Sequence, residues 1–187
     1  MFEKLIEKIA KGLDRRRVSY MIIGGQAVLV YGTPRLTKDI DITLGINTDQ
    51  IPLVINLCRE LGLRVPRDAK TFAAKTMVLP AVDAKSKIRV EFIFSFSDYE
   101  KTALGRASKV KVKDYIARFA SVEDLIVHKI FAGRAVDMED IKNILIKNGA
   151  KTIDTRYIRK WLKTLQDAPG RPDMVLSFNK VIAEAGR

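Results

Sequence analysis

Residues 39–44, Asp-Ile-Asp-Ile-Thr-Leu, alternate strictly between a polar and an aliphatic side chain. Alternation with period two marks a half-buried strand. Ile40, Ile42 and Leu44 then face a core, and Asp39 and Asp41 project together from the other face, about 7 Å apart along the backbone. Aspartate is depleted from strand interiors. Two carboxylates held side by side repel each other unless a cation lies between them. Oxygen-only ligands of this kind suit Mg²⁺. Residue type alone leaves an exposed strand with solvated acids as an equal account, so the flanking sequence has to decide.

Two flanking features favour a site. Residues 18–23, Val-Ser-Tyr-Met-Ile-Ile, read as a buried strand that Gly24-Gly25 breaks, with a short helix expected over 26–31. Glycine at such a turn lets the backbone approach an anion, and a helix N-terminus offers unpaired N–H groups to it. A double glycine alone is most simply a tight turn; its place shortly before the acid pair makes it specific. Downstream, Ile88, Val90, Phe92 and Phe94 form one apolar face of an expected strand, and Arg89, Glu91, Ile93 and Ser95 form the other. If this strand lies beside Asp39 and Asp41, Glu91 completes a set of three carboxylates able to hold Mg²⁺. By itself, Glu91 is better read as the partner of a surface lysine.

The rest of the chain sets these residues in an α+β frame. Phe2, Leu5, Ile6, Ile9 and Leu13 recur at three- and four-residue steps, which predicts an amphipathic first helix. Asn47 and Gly62 bracket another helix. Residues 76–82 and 88–95 predict a hairpin, Ser97 with Glu100 a capping box, and 109–112 a further strand. From Ser121 the pattern is helical: 122–132, 137–147, 155–166 and 174–185, the last two separated by Pro-Gly-Arg-Pro at 169–172. The expected organisation is a mixed sheet flanked by helices over residues 1–120, followed by a helical region, 121–187, packed on it.

Composition narrows the partners. With 34 basic and 22 acidic residues the net charge is +12, which favours a polyanion such as a nucleoside triphosphate or an RNA. Cys58 is the only cysteine, so neither an intramolecular disulfide nor a cysteine zinc site is available. No apolar run approaches the ~20 residues needed to span a bilayer, and a cytoplasmic setting is expected. Lys109, Lys111 and Lys113 alternate, and Arg156, Arg159, Lys160 and Lys163 surround Trp161. Solvated faces explain both groups slightly better than a groove for an RNA backbone does. His128, the only histidine, reads as a packed or solvated side chain, and Cys58 as a core thiol.

The run Gly-Gly-Gln-Ala-Val-Leu-Val-Tyr-Gly-Thr-Pro-Arg-Leu-Thr-Lys-Asp-Ile-Asp-Ile, residues 24–42, resembles the nucleotidyltransferase superfamily that includes DNA polymerase β. Its Tyr-Gly-x-x-Arg-x-Thr-x-Asp-Ile-Asp pattern is similar to the minimal nucleotidyltransferases and the AbiEii-type toxin nucleotidyltransferases. Residues 123–141 resemble a downstream motif of theirs that supplies a lysine, an arginine and an Asp-x-x-Asp pair. The resemblance implies a Mg²⁺-dependent enzyme that moves a nucleoside monophosphate from an NTP to a hydroxyl of a tRNA, a protein or a small molecule. A toxin with an antitoxin partner is a further implication. Asp39, Asp41 and Glu91 would be catalytic and hold the metal. Gly24, Gly25 and Lys129 would bind the nucleotide. Arg35, Thr37, Arg134, Asp137 and Asp140 would lie near the acceptor or support the residues that touch substrate. The chain departs from the pattern at Gly25, where many relatives carry serine, and at Glu91, where aspartate is usual. A non-catalytic module that binds nucleotide or a protein partner is the competing reading; the intact acid pair argues against it.

Overall fold

The alternating segment is a central strand of a seven-stranded mixed sheet. The strands are β1 (Tyr20–Ile23), β2 (Asp39–Leu44), β3 (Leu63–Arg64), β4 (Val78–Asp83), β5 (Arg89–Phe94), β6 (Ser108–Val112) and β7 (Tyr115–Phe119). Their order is β3-β4-β5-β2-β1-β7-β6. β2 runs parallel to β5, and β1 parallel to β7; the other pairings are antiparallel. This computed structural model describes residues 1–95, 97–149, 152–166 and 173–186. The expected separator at 169–172 lies outside the described residues.

The chain divides into two compact units: Met1–Gln26 with Thr37–Ala120, and Ala27–Leu36 with Ser121–Arg187. The first contains the sheet together with α1 (Phe2–Arg15), the start of α2 (Gly24–Tyr31), α3 (Ile51–Glu60), α4 (Ala69–Thr76) and α5 (Asp98–Gly105). Its core takes the aliphatic sides of the alternating strands: Ile40, Ile42 and Leu44 from β2, Val90, Phe92 and Phe94 from β5. From α1 it takes Leu5, Ile6, Ile9 and Leu13. Side chains of this size contribute about 1.5–3 kcal/mol each on full burial. Cys58 sits in this core, and burial pushes its thiol pKa up to about 12, so it is held as an inert thiol.

The second unit holds the rest of α2 and the helices α6 (Val122–Ala132), α7 (Ala135–Asn148), α8 (Thr155–Gln166) and α9 (Met174–Ala185). Ser121 caps α6 by accepting from the Asp124 N–H, and Gly133 ends it at φ 67°.

Two elements are not marked in the sequence by strong periodicity. β7 follows β6 through Lys113-Asp114, where Lys113 takes φ 54° in place of the glycine or asparagine that signals such a hairpin. Lys113 therefore lies in a turn, and the lysine alternation on β6 ends at Lys111. α4 is short and alanine-rich, with only Ala69 and Ala73 buried. Pro80 is tolerated within β4 because β3 pairs only with Val82 and Asp83, leaving Pro80 bonded to β5 alone.

Candidate active site

The site grows from strand register. β2 and β5 pair in parallel with Asp39 opposite Arg89 and Asp41 opposite Glu91. Paired residues share a sheet face, so Asp39, Asp41, Arg89 and Glu91 stand together on one side. The three acids are partly exposed, while the intervening Ile40 and Val90 are buried. On the other flank of β2, Asp41 pairs with Ile23, the residue just before Gly24. The glycine turn is thus delivered to the acids by the end of β1.

Both glycines are closely approached by side chains of the site. Gly24 has φ 62°, and a Cβ there would lie 1.9 Å from Asp41 Oδ2. A Cβ on Gly25 would lie 2.3 Å from Thr37 Oγ1. An approach below 3 Å forces a neighbour to shift, so a side chain at 24 would displace the Asp41 carboxylate and one at 25 would displace Thr37. Thr37 Oγ1 donates to Asp39 Oδ1 at 3.2 Å, and Gln26 Nε2 donates to the Asp39 carbonyl at 3.3 Å. Arg89 approaches Asp39 Oδ2 at 3.7 Å. Gln26 and Arg89 carry no role in the sequence reading. Signals for both exist: Gln26 is an amide in the apolar helix Gly-Gly-Gln-Ala-Val-Leu-Val-Tyr, and Arg89 lies two residues before Glu91, hence on the same face.

The donor set suits a hard divalent cation. Every candidate ligand is a carboxylate oxygen, and Gly24 leaves the space that the Asp41 carboxylate fills. Among the described residues, no group of three or more His, Cys, Asp or Glu side chains is already gathered to metal-holding distance; register, not side-chain closure, aligns the acids.

The second unit assembles a different cluster. Lys129 Nζ donates to Asp137 Oδ1 at 2.9 Å and to Asp140 Oδ2 at 2.7 Å. Arg134 grips Asp137 through Nε at 2.7 Å and Nη2 at 3.2 Å. Arg35 grips Asp140 through Nε at 2.7 Å and Nη2 at 2.8 Å. The side chains of Lys129, Asp137 and Asp140 are 4%, 1% and 4% exposed. Burial raises the carboxyl pKa of both aspartates, but the Arg and Lys hydrogen bonds and charges outweigh it, and both stay below the usual carboxylate range. The bond to Asp140 in turn raises the Arg35 pKa. The sequence therefore names five residues that the structure joins to one another.

His128 in the same unit is half-buried with its Nε2 closed off from solvent, and loss of solvation lowers its pKa to about 4, against a smaller raising effect of Asp124. It is neutral at pH 7. Of the basic groups, Lys109 and Lys111 are exposed on the edge strand β6. Arg159 is engaged within the helices: Nε donates to Asn179 Oδ1 at 3.2 Å, and the guanidinium lies 5.7 Å from the Phe178 ring centre.

A family model described as nucleotidyl transferase of unknown function (DUF2204) matches residues 2–171. No curated protein matches the sequence. Among solved structures, the antibiotic-resistance factor ANT(2'')-Ia superposes with a TM-score of 0.62 at 17% identity, over 89% of this chain and 93% of that one. An antigenic nucleotidyltransferase-like protein from Paracoccidioides brasiliensis gives 0.57 at 16% identity, over 95% and 91%. The lincosamide antibiotic adenylyltransferase LnuA, solved with lincomycin bound, gives 0.54 at 18% identity, over 75% and 94%. Likeness at these identities establishes the fold.

Proposed function

The chain belongs to this nucleotidyl transferase family, and on that premise we propose that it moves a nucleoside monophosphate from an NTP to a hydroxyl acceptor at the β2–β5 acids. The observation that carries this reading is the register of Asp41 against Glu91, beside a glycine turn that has no room for a side chain. The N–H groups at the start of α2 would bind the triphosphate oxygens. Glu91 would take the acceptor hydroxyl proton as that oxygen bonds to the α-phosphorus and the bond to pyrophosphate breaks. Gln26 would hold the Asp39 backbone in place. Mg²⁺, held by Asp39, Asp41 and Glu91, would neutralise the charge that develops on the phosphoryl oxygens. The buried pairing of Lys129 with Asp137 and Asp140 supports a structural part for these three over direct contact with phosphate.

Two observations bear on the acceptor. The +12 charge and the exposed Lys109 and Lys111 support a polyanion such as tRNA. The similarly sized fold neighbours named for antibiotics support a small hydroxylated molecule. The test is transfer from each of four α-labelled NTPs, with Mg²⁺, to bulk tRNA, protein from a lysate, and a panel of aminoglycosides and lincosamides. Label in any acceptor that is lost in Asp41→Asn supports the reading; no transfer to any class rejects it. If tRNA is the acceptor, replacing Lys109 and Lys111 by glutamine lowers the slope of log affinity against log salt by about one unit for each phosphate that is no longer neutralised.

A further inference from the structure

Thr37 stands in an unusual relation to the glycine turn. A Cβ built on Gly25 would meet its Oγ1 at 2.3 Å and its own Cβ at 2.8 Å. The side chain therefore fills the space that a residue 25 side chain would take, although it comes from the segment before β2. Gly25 is the second residue of α2, so the hydroxyl lies alongside the first helical turn, where backbone N–H groups have no intrahelical acceptor. Its present acceptors are both on Asp39, Oδ1 at 3.2 Å and the backbone carbonyl at 3.5 Å. The first is long for an O–H···O⁻ bond, whose ordinary range is about 2.5–2.7 Å, and the second is longer still, so the hydroxyl gives up little by turning elsewhere.

We propose that Thr37 is a phosphate-binding residue: its hydroxyl joins the N–H groups at the head of α2 in holding an oxygen of the NTP triphosphate, and residue 25 is glycine because that hydroxyl occupies its side-chain space. The inference rests on the nucleotidyl-transfer reading and adds a ligand and a reason for the second glycine. When Asp39 takes a cation, its carboxylate no longer needs the hydroxyl as donor. The proton then points to the next anion within reach, which is the phosphate. The arrangement also makes the two positions exchangeable. With Thr37 reduced to glycine, a serine at 25 places a hydroxyl in the same space from the opposite side.

Calorimetric titration of ATP with Mg²⁺ into the full chain tests this, alongside thermal melting of the nucleotide-free protein. Thr37→Val keeps the shape and loses the donor. It weakens ATP binding about tenfold or more, as expected for a hydrogen bond to a charged group, while the nucleotide-free melting temperature stays at the wild-type value. Thr37→Ser retains most of the affinity. Gly25→Ser alone weakens binding because the two side chains collide, and Gly25→Ser with Thr37→Gly recovers affinity over either single change. If wild type and Thr37→Val bind ATP equally, the proposal is wrong while nucleotidyl transfer stands. If the double variant recovers nothing, Thr37 is only a brace for Asp39 and the proposal is likewise wrong. If wild type binds no NTP at all, the nucleotidyl-transfer reading fails and takes this inference with it.

Discussion

The molecule carries acidic clusters in two settings. Asp39, Asp41 and Glu91 lie on the face of a sheet, aligned by backbone register, with Asp39 35% exposed. Asp137 and Asp140 lie among helices, almost wholly buried, gripped by Lys129 and by two forked arginine contacts. In the helical cluster three cations meet two carboxylates, so both carboxylates already have their counter-charge within the protein. In the strand cluster Arg89 only brushes Asp39, at 3.7 Å and from a side chain that is 61% exposed. Residue type is the same in both places. What separates the two is setting: the structural cluster is buried and closely paired, and the candidate catalytic one is partly exposed and aligned by strand register.

Single substitutions break this contrast in opposite directions. Asp41→Asn removes a ligand oxygen charge from the proposed site but leaves the fold's core untouched. Transfer of labelled nucleotide in single-turnover assays should fall by about 10³-fold or more, with unfolding free energy within about 1 kcal/mol of wild type by urea denaturation. A large loss of stability instead would show that the acid pair is structural. Lys129→Met does the reverse. It strips a shared partner from two buried carboxylates and should cost about 3–5 kcal/mol of stability. A variant that melts like wild type but no longer binds NTP would return Lys129 to the phosphate.

How much of this was legible in sequence depends on how local the signal is. The alternation at 39–44 fixes which side chains share a face, and β2 spans those residues. The parity of residues 88–95 likewise puts Glu91 on the polar face of β5. Capping signals locate α5 and α6, because Ser97 and Ser121 act within four residues of themselves. The buried pairing of Lys129 was not legible, since its partners lie eight and eleven residues ahead and a solvated lysine is the commoner case. Arg35 meets Asp140 across 105 residues, which no periodicity reports. The approach of Thr37 to Gly25 is one that only the folded chain creates.

Acidity sharpens the contrast further, because the helical unit should titrate in two windows. His128 has its folded pKa lowered from 6.5 to about 4 by burial. The unfolded chain then binds the extra proton first, so stability is full above pH ~6.5 and falls as pH drops toward 4, by about 3 kcal/mol in all. Asp137 and Asp140, held below the carboxylate range, contribute stability that is present above their unfolded pKa of ~3.9 and lost as pH falls through their folded values. Urea denaturation from pH 7.5 to 3 measures the upper window, and His128→Leu should flatten it. A wild-type profile already flat between 6.5 and 4 would mean that His128 is hydrated in solution.

The smallest expected effect tests whether the helical cluster acts as a unit. Arg35 holds Asp140 by two parallel bonds, Nε to Oδ1 and Nη2 to Oδ2. Lysine cannot reproduce that fork, so Arg35→Lys exchanges two directed bonds for one. The arginine is 33% exposed, so solvent screens part of the interaction. Asp140 also keeps its bond from Lys129. A loss of about 1 kcal/mol in urea denaturation is expected, well short of the Lys129 effect. Arg35→Lys and Lys129→Met share Asp140 as acceptor, so their costs should not add. With Lys129 gone, Asp140 depends on Arg35 alone, and weakening that bond should cost more in the double variant than in the wild-type background. Residues in one ion network couple by about 0.5 kcal/mol or more. Strict additivity would mean that the two cations act on Asp140 independently, and the cluster would reduce to separate pairs.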